Sequence, residues 1–573
     1  LRLAPDRHLL LVTLHHIVAD LWSLDVLVGD LQAAYAAALA GPAAARTEPT
    51  ARTEPAALAI QYSDYALWQR HSVDTAAYQR QLAYWQHRLA GAERLQVPTD
   101  FTPPAERSFA GGVVPLRIDA ATQARLRALA TAHNASVFMV LLAALKLLFH
   151  RYSGQTDIVI GTTVANRNRP ELAPLIGFFV NTLAIRTDLG GDPAFVELLA
   201  RVRAGVLGDQ ARQDVPFEHL VAALQLPQDL SATPLFQVLL VLQDERQRRP
   251  VELAGGVELS YAPVSTGTAK FDLQITLRDT DAGIEGELEF ASDVFERPRP
   301  EAPGATLIER LAGHYRHVLE QIADRPQVRL SDVPLLSEQE REWALGVSRG
   351  PVVLHEDRAV HHLIEQQVAL TPDAVAVVEG DGSWTYRQVN EAANRIAHWL
   401  IGRGLTPGRR VGVLFGGACV GLLQAVLGVM KAGGVYVPLD SLHPGERLRQ
   451  FLGDADAFAL LYGVDLKHVV PGYTGFTLCV GAGDGAALVD QQPSHNLPLE
   501  VDSRQPLYVV YTSGSTGQPK GAGVLHRGMA NLLGWYTREF GMGPADRNLV
   551  ISPPAFDLTQ KNLFAPLVSG GTV

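Results

Sequence analysis

The chain has 573 residues, enough for about four compact units. Its composition, 47% hydrophobic and 19% charged, supports large buried cores and excludes wholesale disorder. A formal net charge of −11 excludes a nucleic-acid or anionic-membrane surface, because phosphates would be repelled.

Two cysteines, Cys419 and Cys479, lie far apart and form no CxxC or Cys/His ligand spacing. No disulfide framework and no metal site is therefore expected, and a reducing cytoplasm is the expected location. No uncharged apolar run reaches 18 residues, and no basic-then-apolar leader opens the chain, so no membrane association is expected. Only six of the 49 basic residues are lysines, so each lysine is a position to examine. The chain opens "LRLAPDRHLLLVTL" inside a strand-like pattern and closes "LVSGGTV" as another strand starts, which reads as a fragment cut at both ends.

In chain order, His8–Leu14 is apolar and β-branched and predicts a buried strand. Ser23 is placed to cap a helix from about Leu24 to Leu39, with Leu24, Leu27, Val28, Leu31 and Tyr35 at helical spacing. The tandem "GPAAARTEPTARTEPAA" predicts a surface loop. A second unit opens near Ser108, with the apolar helix "SVFMVLLAALKLLFHRY" and the strand "DIVIGTTVA". "RLSDVPLLSEQEREWAL" predicts a packed connector ending in a polar helix. From Val360 onward, helices alternate with short strands such as "RVGVLF" and "PLYVVYTS", predicting an α/β architecture with parallel strands.

Two stretches carry chemistry. In "TLHHIVADLWS", His15 and His16 stand together and Asp20 follows the second by four. Three readings are open: a zinc site, for which no further ligands lie nearby; a pair of core histidines; or a base at a strand end, where alternation lets only one of the pair face a cleft. An imidazole, with a usual pKa of about 6.5, suits taking a proton from an amine near neutral pH. "VHHLIEQQ" at His361 and His362 also pairs histidines, there opening an ordinary amphipathic helix. The other stretch, "LYVVYTSGSTGQPKGAG", is a strand entering a loop of glycines and hydroxyls before a lysine. It fails the Walker A pattern, yet Gly514 and Gly517 let amides converge on an anion. The hydroxyls of Thr512, Ser513, Ser515 and Thr516 add donors, and Lys520 adds a compact charge.

"LHHIVADLWS" is similar to the HHxxxDG motif of condensation domains in nonribosomal peptide synthetases. "YSDYALWQ", "IGFFVNTLAIR", "QDVPFEHLV" and "SATPLFQVLL" match the same family in the right order. The resemblance implies a chloramphenicol-acetyltransferase-like fold of two lobes with a tunnel between them. It also implies that carrier-bound thioesters enter from opposite ends. By carry-over His16 is the catalytic histidine, acting as base or by holding the amine, and His15 belongs to the same motif. Asp20 is implied to be mainly structural, paired to an unnamed arginine, and Asn181 to lie near the tunnel. One departure stands out: Leu21 occupies the family's glycine, whose backbone freedom leucine lacks.

The glycine-rich loop resembles the YTSGSTGxPKG signature of amino-acid adenylation domains. "WTYRQVNEAANRIAHWL", "MKAGGVYVPLD" and "FDLT" at Phe556–Thr559 support it. The resemblance implies amino acid plus ATP, with Mg²⁺, giving aminoacyl-AMP and pyrophosphate. Asp557 is the implied partner of the substrate ammonium, with capping of the helix "DLTQKNLF" as its structural role. Leu558 and Lys561 are implied to line the side-chain pocket.

The expected layout is a condensation domain over 1–335, with the remainder of its first lobe in 1–107 and its second lobe in 108–335. A linker follows at 336–355, then the N-terminal part of an adenylation domain at 356–573. The expected partners are upstream and downstream peptidyl carrier domains bearing phosphopantetheine, whose attachment site is not in this chain, and an amino-acid substrate. The fragment alone is expected to be inactive, the function belonging to the complete synthetase. Two rivals are an acyl-CoA ligase fused to an unrelated acyltransferase, and a degenerate docking scaffold.

Overall fold

The computed structural model describes residues 1–44, 58–226, 233–243, 250–262, 264, 266–299, 301, 304, 306–350, 352, 357–464, 470, 472–481, 483–512 and 520–573. The chain forms two compact units, Leu1–Arg349 and Gly350–Val573.

The first unit's strands are β1 (Arg2–Ala4), β2 (Arg7–His8), β3 (Gly111–Asp119), β4 (Asp157–Val164), β5 (Asn181–Asp188), β6 (Val238–Gln243), β7 (Val251–Leu253), β8 (Val257–Leu259), β9 (Leu273–Thr280) and β10 (Gly283–Ala291). Six of them make one mixed sheet in the order β3-β10-β9-β6-β4-β5. The helix Val137–Ser153 is buried along most of its length, as its apolar sequence requires, and Ser136 caps it. Lys146, inside that helix, is wholly buried, and its Nζ donates to the carbonyls of Ile158 (3.0 Å) and Ile185 (2.6 Å). That lysine ties the helix to β4 and β5. The helix Glu338–Ser348 closes the predicted connector; Glu340 at its start meets His314 Nε2 at 3.1 Å.

Three expectations near the N-terminus are corrected. The strand stops at His8: residues 9–15 carry none, and Leu10, Leu11 and Val12 are exposed. An apolar run becomes a strand only where a ladder partner lies alongside, and past Leu9, which exchanges hydrogen bonds with Leu1, these residues have no strand partner among the described residues. The following helix is Leu21–Ala44, three residues earlier than predicted, because Asp20 rather than Ser23 caps it: Ser23 N donates to Asp20 Oδ1 at 2.9 Å. It also runs into the tandem segment predicted as loop, whose residues 45–57 lie outside the described residues.

The second unit's strands are β11 (Val375–Glu379), β12 (Gly382–Thr385), β13 (Arg410–Phe415), β14 (Val435–Asp440), β15 (Ala459–Tyr462), β16 (Phe476–Cys479), β17 (Pro506–Thr512) and β18 (Lys520–Leu525). The sheet runs β16-β15-β13-β14-β17-β18, parallel apart from the antiparallel edge strand β18. This is the alternating architecture the sequence predicts. Thr385 and Gln388 form a capping box for the helix Tyr386–Gly402, which buries its apolar face in the core.

Candidate functional site

In the first unit the histidine pair sits on a tight turn rather than a strand end. His15 precedes the 3₁₀ turn His16–Val18, and its Nδ1 accepts from Ile17 N at 3.1 Å. His16 is exposed, and its Nδ1 lies 2.8 Å from the Ala19 carbonyl. A carbonyl can only accept, so Nδ1 carries a proton, and in the neutral ring Nε2 is the nitrogen with the lone pair. The Phe178 ring holds the imidazole edge-on, at 5.1 Å between centroids and 87°.

Asp20 is buried, and its partners are all made. It accepts from Ser23 N, from Ser23 Oγ (2.7 Å), from Phe179 N (3.0 Å) and from Arg167 Nη2 (3.0 Å). Burial pushes its carboxyl up, but the Ser23 hydroxyl, the Phe179 and Ser23 amides and the Arg167 charge outweigh it and hold it below the usual value. Arg167 is the arginine the sequence could not name. It also donates to the carbonyls of Leu172 and Leu175, and its guanidinium lies 4.0 Å from the Phe179 ring centroid. No spacing signal joins residues 147 apart.

The sequence stretches meet in space. Gly177 N donates to Ser23 Oγ at 3.1 Å, and the single proton of that hydroxyl goes to Asp20 Oδ1. The Tyr62 hydroxyl donates to Phe178 O (2.9 Å), and a Cβ on Gly177 would stand 2.2 Å from the Tyr62 ring. The "FFV" of that stretch is loop, with β5 starting only at Asn181. Asn181 spends its side chain on backbone. Its Nδ2 donates to Gln213 O and Val215 O, and its Oδ1 accepts from Thr182 N and Phe217 N. Phe217 in turn packs on Phe236, 5.5 Å between centroids. Five stretches spread over more than two hundred residues thus form one connected contact chain.

Leu21 is the first residue of a helix and has no left-handed backbone. A glycine's special conformational freedom is not needed there.

In the second unit, Thr512 and Lys520 face each other in register at the ends of β17 and β18. Both are exposed, and Lys520 makes no ion pair among the described residues. Ser513, Gly514, Ser515, Thr516 and Gly517 lie outside the described residues. β17 itself is held firmly: the Tyr511 ring stacks on Phe451 at 4.5 Å, and its hydroxyl donates to Asp454.

Asp557 opens the helix Asp557–Ser569, whose cap residue is Phe556. The expected capping role is corrected, since Phe556 rather than Asp557 is the cap residue; Asp557 and Leu558 are both exposed, because Thr559 and Gln560 are the residues of this turn that face inward. Oδ1 of Asp557 accepts from Leu558 N at 2.7 Å. No motif or spacing announces the lock beneath it: the buried Tyr436 hydroxyl donates to Gln560 Oε1 (2.7 Å), and Gln560 Nε2 donates to Pro554 O and Phe556 O. Lys561 is half-buried over the Tyr536 ring. The other histidine pair behaves as structure: His361 is buried inside the helix Val360–Leu370 against His526.

A family model for the condensation domain matches residues 1–344, more than half of the chain. The chain belongs to the condensation-domain family. A second model, AMP-binding enzyme, matches residues 364–573. A component of the linear gramicidin synthase of Brevibacillus parabrevis is 37% identical over the whole of this chain, which spans 7% of that protein. Bacitracin synthase 3 of Bacillus licheniformis is 33% identical over the whole chain, which spans 8% of it. Among solved structures, a four-domain nonribosomal peptide synthetase bound to AMP and glycine matches with a TM-score of 0.77 at 23% identity, over 98% of this chain and 41% of that one. The synthetase FmoA3 matches at 0.72 and 23%, over 97% of this chain and 58% of that one. The fold is therefore that of nonribosomal peptide synthetases, a condensation domain followed by an AMP-binding domain, and the reading of an unrelated acyltransferase is excluded. These are amide-forming and adenylate-forming domain families. Among the described residues no single helix is long and apolar enough to cross a membrane.

Proposed function

We propose that this nonribosomal peptide synthetase chain joins two carrier-bound thioesters in its first unit and activates an amino acid in its second. What supports the first assignment is the tautomer of His16. With Nδ1 committed to Ala19 O, Nε2 is free to take a proton from an acceptor ammonium or amine as its nitrogen attacks the donor carbonyl. The C–N bond forms, the C–S bond breaks, and the departing pantetheine thiolate takes up a proton. Asp20 and Arg167 act through the turn they hold, His15 closes that turn by accepting from Ile17 N, and Asn181 fixes the 213–217 segment against β5. The partners are the upstream and downstream peptidyl carrier domains with their phosphopantetheine arms.

In the second unit, the substrate carboxylate attacks the α-phosphorus of ATP and pyrophosphate leaves. Thr512, Ser513, Gly514, Ser515, Thr516, Gly517 and Lys520 would hold the phosphates, an exposed cation and a hydroxyl at paired strand ends being suited to that charge. Mg²⁺, when bound, neutralises the phosphate oxygens. Asp557 pairs with the substrate α-ammonium, and Leu558 and Lys561 line the side-chain pocket. Residues 1–335, a linker at 336–355 and 356–573 divide the work, in a cytoplasmic protein whose two cysteines form no disulfide.

Amino-acid-dependent pyrophosphate exchange by the full-length protein tests the adenylation assignment. Asp557→Ala is expected to lower kcat/KM for the preferred amino acid by roughly 30-fold or more, since it removes one partner of a charge pair. Unchanged exchange would remove Asp557 from the site.

A further inference from the structure

The first turns of the helix Asp557–Ser569 are locked in rotation. Thr559 and Gln560 point inward, bonded to Pro553 O, Pro554 O and Tyr436, which leaves Asp557, Leu558 and Lys561 on the outer side. Asp557 and Lys561 are four residues apart, the spacing at which opposite charges on a helix ordinarily close on each other. Here no ion pair joins them. Asp557 Oδ1 is engaged by Leu558 N. Lys561 Nζ turns to Asn562 Oδ1 (3.0 Å) and lies 4.4 Å from the Tyr536 ring centroid. Lys561 is half-buried, yet no carboxylate pairs with it among the described residues.

We propose that the amino acid activated here is a dicarboxylic one, of the aspartate or glutamate class, whose side-chain carboxylate pairs with Lys561. The proposal rests on the reading of Asp557 as partner of the α-ammonium. Four residues at 1.5 Å each set the backbones of Asp557 and Lys561 about 6 Å apart along the helix axis, within reach of a substrate bearing an ammonium at one end and a carboxylate one or two methylenes away. Leu558, 60% exposed between them, offers an apolar surface to those methylenes. A carboxylate gives the ammonium a charge-assisted hydrogen bond, whereas a neutral amide leaves a half-desolvated charge without its counter-ion. The Tyr536 ring face, 4.4 Å from Nζ, supports the ammonium and competes for no hydrogen bond.

The test is pyrophosphate exchange by the full-length protein with glutamate, aspartate, glutamine, asparagine, lysine, ornithine and a set of apolar amino acids. The expected result is that glutamate or aspartate is the best substrate, with kcat/KM about 10-fold or more above its own amide. Lys561→Gln is expected to erase that ratio, and Lys561→Glu to shift preference toward lysine or ornithine. Where Lys561→Glu fails to fold, Lys561→Gln carries the comparison. A neutral or cationic amino acid as best substrate, with exchange still sensitive to Asp557→Ala, overturns the proposal and leaves the adenylation reading standing. No exchange with any amino acid overturns both.

Discussion

Asp20 and Arg167 form an ion pair whose side chains are 4% and 1% exposed. Such a pair is worth little over an apolar substitute, but removing one partner strands the other without water. Arg167→Ala is therefore expected to cost about 3–5 kcal/mol in urea unfolding of the first unit. A loss below about 1 kcal/mol would mean that water reaches Asp20, and the turn under His16 is then not held by this pair. At this scale the sequence was legible where the chemistry is local. The histidines, Asp20 and the Gly/Ser loop are recognisable as residues, and the partners of Asp20 are not. Arg167, Phe179 and Gly177 reach it through the fold, from positions that no helical or strand period connects to it.

Elements that carry their own periodicity or caps were readable. The helix Val137–Ser153 and the strands β4, β13 and β17 all stand where the apolar pattern puts them. The failure at residues 9–15 has the opposite cause, since a strand depends on a neighbour that its own residues do not encode. The start of helix Leu21–Ala44 was misplaced because Asp20 and Ser23 are both good caps, and only the ion pair decides between them. The close approach of Tyr62 to Gly177 is a second feature only the fold reveals. Gly177→Ala places a methyl 2.2 Å from the ring and is expected to destabilise the unit by about 1–3 kcal/mol. Combining it with Tyr62→Ala is expected to cost less than the sum of the single changes in chemical denaturation. Strict additivity would place the strain elsewhere.

At the scale of the molecule, the second unit buries a histidine cluster that makes it sensitive to acid. Burial, with the nearby His362, pulls His526 down to about 4 from 6.5, and burial also holds His361 well below its ordinary value. Between pH 6.5 and about 4 the unfolded chain binds protons that the native histidine refuses, so stability is complete above that window and declines as pH falls through it. Amide hydrogen exchange in the helix Tyr386–Gly402 should report this decline. His526→Asn, which keeps an acceptor for Val360 N, should flatten it, and an unchanged slope would place the acid sensitivity elsewhere. One unit thus carries a solvent-open imidazole and the other an outward-facing Asp557, and each is positioned by buried polar locks distant in sequence. The role of His16 is decided by single-turnover peptide-bond formation between loaded carriers, using the full-length protein carrying His16→Ala. A fall of about 10²–10⁴-fold in rate, with carrier loading unchanged, is the expected outcome. Bond formation at the wild-type rate would remove the imidazole from the reaction.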